Sequence, residues 1–147
     1  MNIAEQAVRE ARLWLGTPYV HQASCRGAGT DCLGLILGVW RAIYGGLPAQ
    51  VPAYTADWSE TAGREDLMEA ACRHMIRRTG FEEAVGDVLL FRMRDGRVAK
   101  HLGLQSATGA AARFIHAYSG HGVVESALTE PWRRRVAARF ALPDGVS

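Results

Sequence analysis

The sequence predicts an α+β fold, with N-terminal helices packed on an antiparallel sheet of about five strands. Three observations carry this expectation. Apolar residues recur at helical spacing through the first half of the chain. After residue 84 the period changes to short apolar or alternating runs separated by glycine-containing turns. Helical segments first and strand segments after them imply an antiparallel sheet packed against helices.

Residues 3–15 read as the first helix. Ile3, Ala7, Val8, Ala11 and Leu15 share one stripe, with Glu5, Arg9 and Arg12 opposite, and Gly16 and Pro18 end it. Residues 16–30 read as loop, with Gly27 and Gly29 close together. Asp31 is a good N-cap for a second helix. Leu33, Ile36, Leu37, Trp40 and Ile43 supply its apolar face, and Gly45 and Gly46 close it. Residues 47–60 hold Pro48 and Pro52 and read as an irregular crossing segment. A third helix is predicted over about 60–79, capped near Thr61, with Leu67, Ala70, Ala71, Met75 and Ile76 as its stripe. Strands are predicted at 85–93, 101–107, 113–119, 123–128 and 132–142, with turns at Asp95-Gly96 and Ser119-Gly120.

Size and charge narrow the function classes. A chain of 147 residues, 48% hydrophobic, reads as one domain over 1–147. It can bury roughly 70% of its unfolded surface. No apolar run reaches membrane-spanning length, so no membrane insertion is expected. The 17 basic and 15 acidic residues leave a net charge of +2, which gives no global argument for nucleic acid. Arg92, Arg94, Arg97 and Lys100 cluster locally, as do Arg133, Arg134 and Arg135. They read as solvated surface or as a contact for an anionic polymer or partner. Charges at Glu5, Arg9, Glu10 and Arg12 interrupt any apolar block at the N-terminus, so no secretory signal is expected. Three cysteines, an odd number at no paired spacing, argue against a disulfide scaffold.

Three residues stand out as chemistry-bearing. Cys32 falls at the start of the second helix, where unpaired N–H groups and the helix dipole favour negative charge. A thiol there is expected to have its pKa lowered, giving a nucleophile. The other reading is a small buried thiol. His101 opens a predicted strand and can serve as a base for a thiol or sit at a strand edge. His116 alternates with Ile115 and Ala117, so it should point to the opposite face. If the two strands pair, one ring can orient the other. A satisfied core histidine is the alternative.

Taken in order, Gly16-Thr17-Pro18-Tyr19, Asp31-Cys32-Leu33-Gly34-Leu35, Gly86-Asp87-Val88-Leu89-Leu90-Phe91, His101-Leu102-Gly103-Leu104 and Phe114-Ile115-His116-Ala117 resemble the NlpC family of cell-wall peptidases. The resemblance covers about residues 4–140. It is nearest to the short variants of phage tails and gene transfer agents, which the run His21-Gln22-Ala23-Ser24 and Leu33 both fit. It implies a papain-like fold, in which the helix carrying the cysteine packs on a sheet carrying both histidines. It assigns Cys32 as nucleophile, His101 as general base and His116 as the third residue orienting that base. Tyr19 maps near the oxyanion site, and His21 is a weak substrate contact. The implied substrate is the stem peptide of peptidoglycan, commonly cut between D-γ-glutamate and diaminopimelate. Leu33 departs from the serine that many members carry after the nucleophile, which bears on substrate preference more than on reaction type.

No cofactor is expected. A periplasmic substrate without an export signal points to a chain made in the cytoplasm and carried in a phage-like tail, in contact with hub or baseplate proteins. Three alternatives stand beside this reading. One is a zinc site of Cys25, Cys32, His101 and His116. Another is an idle structural tail-tip component of the same fold, and the last an acyltransferase or amidase on that fold. Cys25 reads as a bystander, Cys72 as core, and His74 and His121 as surface or turn. Trp14, Trp40, Trp58 and Trp132 read as core or rim.

Overall fold

The helical period of the first half does produce two helices that bury one side each. A computed structural model describes residues 1–48, 65–80, 82–94 and 96–144. Helix α1 spans Ile3–Leu13 and is capped by Asn2, whose side chain accepts from the Glu5 N–H. It buries Ala7, Val8 and Ala11, and Trp14 just beyond its end is 3% exposed. Leu15, expected on that stripe, is exposed; Trp14 takes the place, because the helix stops at Leu13.

A short hairpin follows, β1 (Ser24–Cys25) against β2 (Gly29–Thr30), where only loop was expected. Helix α2 spans Cys32–Tyr44. Asp31 caps it as predicted, its Oδ1 accepting the Gly34 N–H at 2.7 Å, and Gly45 ends it at φ 82°. The buried face holds Gly34, Leu35, Ile36, Gly38, Val39 and Trp40, so it is rotated from the predicted stripe; Leu33, Leu37 and Ile43 are only half-buried. Two glycines explain the rotation. A Cβ on Gly38 would lie 2.1 Å from the Trp14 ring, and one on Gly34 would lie 1.9 Å from the Ala23 carbonyl oxygen. These small residues let α1 and the hairpin press directly onto α2.

Helix α3 covers Asp66–His74. The expected start near Thr61, the segment 49–60 and Trp58 lie outside the described residues. The expected end is corrected: Ile76 leaves the helix for strand β3 (Ile76–Arg78), which pairs with the last strand. Cys72 is exposed on α3, not core, because the short helix buries only Leu67 and Ala71.

The remaining strands are β4 (Val88–Phe91), β5 (His101–Ala107), β6 (Arg113–Tyr118), β7 (Gly122–Ala127) and β8 (Val136–Ala141). They form one antiparallel sheet of six strands, ordered β3-β8-β4-β5-β6-β7. Trp132 belongs not to a strand but to the short helix α4 (Glu130–Arg135). Pro131 in its first turn favours that start.

The sheet is covered on both faces. Leu102, Leu104, Ile115, Ala117, Val88 and Leu90 meet α1 and α2 in the larger core. Leu89, Phe91, Ala112, Phe114 and Leu128 form a smaller core on the other face, with Trp132 packed over it. Among the described residues no helix is long and apolar enough to cross a membrane.

Candidate active site

Strand alternation decides where the two histidines go. Ile115 and Ala117 are fully buried in the helix-side core, so His116 turns to the aromatic side with Phe114. His101 faces the same side, against Phe91 and Trp132. The rings meet there, His101 Nε2 lying 2.8 Å from His116 Nδ1. His116 Nε2 lies 2.9 Å from Ser126 Oγ. His101 is 8% exposed and His116 wholly buried.

Cys32 approaches from the helix side. The β5–β6 ladder runs outward from Leu104↔Ile115, so His101 and Leu102 precede it on β5. Cys32 Sγ lies against the backbone at that start. The thiol donates to the Lys100 carbonyl at 3.7 Å, and the Leu102 amide points to the sulfur. The backbone on either side of His101 therefore cradles the sulfur, while the Nε2 side of the imidazole is engaged with His116. Nδ1 is the ring nitrogen left to serve a thiol.

The electrostatics differ from the expected lowered thiol pKa. Although Cys32 keeps some solvent contact, burial pushes its thiol up to about 11, and the Asp31 carboxylate adds to the rise. The amides of Leu102, Leu33 and Cys32 pull the other way and do not prevail. Burial is the main reason, and the cap adds to it. Asp31 sits beside Cys32 with its carboxylate on the helix start, where it offsets the positive end of α2 and repels a thiolate. Burial, and after it His116, hold His101 down to about 3. Burial, and after it His121, hold His116 down to about 4. At neutral pH the site rests as a thiol beside two uncharged imidazoles.

That state fixes the sign of the acid response. An unfolded histidine titrates near 6.5, whereas the two folded rings stay neutral down to about 3 and about 4. Within that window the unfolded chain binds protons that the folded chain refuses. Stability is full above about pH 6.5 and falls with acidification, each ring tending to a slope of about 1.4 kcal/mol per pH unit. Urea unfolding between about pH 7 and about pH 5 should show this fall, and His116→Gln should flatten it. Parallel slopes in the two proteins would contradict neutral burial of that ring.

Tyr19 and His21 flank the thiol through Asp31. Tyr19 bridges Thr30 and packs half-buried on the larger core. Burial, then the charges of Cys32 and Asp31, push its hydroxyl up to about 12. His21 is exposed, its Nδ1 3.9 Å from Asp31 Oδ2. The same oxygen accepts the Gln22 N–H at 2.8 Å, which holds Gln22 at φ 64°, a conformation few non-glycine residues adopt. Asp31 thus joins the helix cap, the loop and the charge at the site.

The chain leading to His101 is also tied down. Glu65 accepts the Ala99 N–H at 2.9 Å and pairs with the Arg92 guanidinium. Arg133 pairs with Glu83, and Arg135 lies over the Trp132 ring. Part of each basic cluster is therefore committed within the fold.

Cys25 lies exposed on the hairpin. Among the described residues no three histidine, cysteine, aspartate or glutamate side chains are grouped as a metal would require, so Cys25, Cys32, His101 and His116 do not make a zinc centre. Ser126 was missed from sequence. The three-residue turn between Tyr118 and Gly122 carried the signal, because it sets His116 opposite Val124 and Phe114 opposite Ser126.

No family model matches the chain, and no curated relative matches its sequence. Solved structures do. One is a protein similar to a lipoprotein of the NLP/P60 family from Staphylococcus aureus subsp. aureus Mu50. It shares 18% identity at a TM-score of 0.62, over 95% of this chain and 41% of that one. The NlpC/p60 domain of peptidoglycan hydrolase SagA gives 22% identity and a TM-score of 0.61, over 97% of this chain and all of that one. This chain has the NlpC/P60 fold. NlpC1 from Trichomonas vaginalis aligns at 20% identity and a TM-score of 0.59, over 96% of this chain and 44% of that one. The chain spans under half the length of the Staphylococcus and Trichomonas proteins. Within that fold, α2 brings Cys32 to the splayed start of β5, and β5 and β6 bring the two imidazoles.

Proposed function

We propose that this protein is a cysteine hydrolase of peptidoglycan stem peptides, with Cys32 as nucleophile, His101 as acid-base and His116 as the residue that orients it. The observation that carries the reading is the seat of the Cys32 sulfur, between the Lys100 carbonyl and the Leu102 amide around His101. The likeness to the domain of peptidoglycan hydrolase SagA supports the substrate class.

The resting charges shape the mechanism. A thiol held near 11 beside an imidazole held near 3 does not form a standing ion pair. Cys32 is instead deprotonated by His101 as its sulfur attacks the amide carbonyl, the thiol proton passing to Nδ1. Amides at the start of α2 and the Tyr19 hydroxyl, whose high pKa keeps it a donor, face the developing oxyanion. His101 then protonates the leaving amine and activates water to release the acyl group.

The bond favoured is that between D-γ-glutamate and diaminopimelate. The run His21-Gln22-Ala23-Ser24 and Leu33, which resemble the tail-borne variants, favour delivery by a phage-like tail, in contact with hub or baseplate proteins, to the periplasm of a target cell. Incubation of purified muropeptides with wild type and Cys32→Ala, read by mass spectrometry, tests the reading. Wild type should release one pair of fragments and the variant none. Equal cleavage by both would defeat it.

A further inference from the structure

The hydrogen-bond chain does not stop at the second histidine. We propose that Ser126 is a positioning residue. Its hydroxyl supplies the acceptor for His116 Nε2–H that is required by the tautomer whose His101 Nδ1 lone pair can take the thiol proton. This rests on the cysteine-hydrolase reading only for the direction in which the proton must move.

The argument is one of counting protons. Two uncharged imidazoles joined by a single bond hold one proton between them, so one ring donates and the other accepts. If His101 is to take a proton at Nδ1, its own proton sits on Nε2 and is donated to His116 Nδ1 across 2.8 Å. His116 then carries its proton on Nε2, which points at Ser126 Oγ across 2.9 Å. In the reverse arrangement His116 donates from Nδ1, His101 carries its proton on Nδ1, and that nitrogen has no lone pair to receive a thiol proton.

Phe91, Phe114, Tyr118 and Trp132 pack around the two rings, and His116 has no exposed surface. The β6–β7 register places Ser126 opposite Phe114, so its hydroxyl reaches diagonally along one face of the hairpin to His116. A buried N–H with no acceptor is costlier than a buried lone pair with no donor. Removing the hydroxyl therefore shifts the pair towards the reverse arrangement.

The test compares Ser126→Ala and Ser126→Thr. Imidazole nitrogen NMR of wild type should show His116 protonated at Nε2. The alanine variant should show a population protonated at Nδ1, and the threonine variant the wild-type pattern. On muropeptides the alanine variant should lose about 10- to 100-fold in kcat, equivalent to about 1.4–2.7 kcal/mol, with KM nearly unchanged. Threonine should restore most of it. An unchanged tautomer in the alanine variant, or a threonine variant as slow as the alanine one, would overturn the proposal. The NMR reading needs no substrate. Were wild type inactive on muropeptides, the hydrolase reading would fall while the tautomer result still decided the role of Ser126.

Discussion

Muropeptide turnover by His101→Ala should fall by about 100- to 10,000-fold, the usual contribution of a positioned acid-base. The resting charges make the loss larger than it would be for a preformed thiolate. With the thiol held near 11, little thiolate exists at neutral pH, and the attack depends on a base that removes the proton during the step. A residual rate within about threefold of wild type, in a variant that melts normally, would remove His101 from the mechanism.

The largest structural effect should come from Phe114→Ala, with a loss of about 3–5 kcal/mol in unfolding free energy. The ring is fully buried at the centre of the smaller core, 5.3 Å from Phe91 and 5.1 Å from Trp132. It also fills the space over Gly103, where a Cβ would approach its edge to 2.9 Å. Against a typical total of about 5–15 kcal/mol, such a cavity leaves little margin. Phe114 further lies 4.2 Å from His116, so the hole opens directly beneath the ring pair. Urea unfolding measures the first effect and turnover at low temperature the second. A stability loss under about 1 kcal/mol would mean that the smaller core collapses around the gap.

Much of this arrangement is legible from local pattern. Asp31 and Gly45 mark both ends of α2, and alternation places His116 opposite Ile115 and Ala117. What fails is what depends on distant partners. Met75 and Ile76 continue a helical stripe in sequence, yet pairing with β8 draws Ile76-Arg77-Arg78 into an edge strand. Trp132 looks like a strand residue until Pro131 is read as a helix start. The thiol pKa moves the wrong way for a local argument, because burial by β5 and the Asp31 charge outweigh the helix-start amides. Ser126 becomes visible only once the hairpin register is known.

The place of β8 has a consequence for synthesis. It is last in chain order but lies inside the sheet, between β3 and β4. While a nascent chain has emerged only as far as residue 129, β4 has an open edge and Trp132 has not yet covered the histidine rings. Long-range closure of this kind is slow relative to helix formation. A ribosome-bound or prematurely ended chain therefore carries thiol and imidazoles without the wall that holds them in register. The proposed catalytic centre is walled in only once β8 has slotted between β3 and β4.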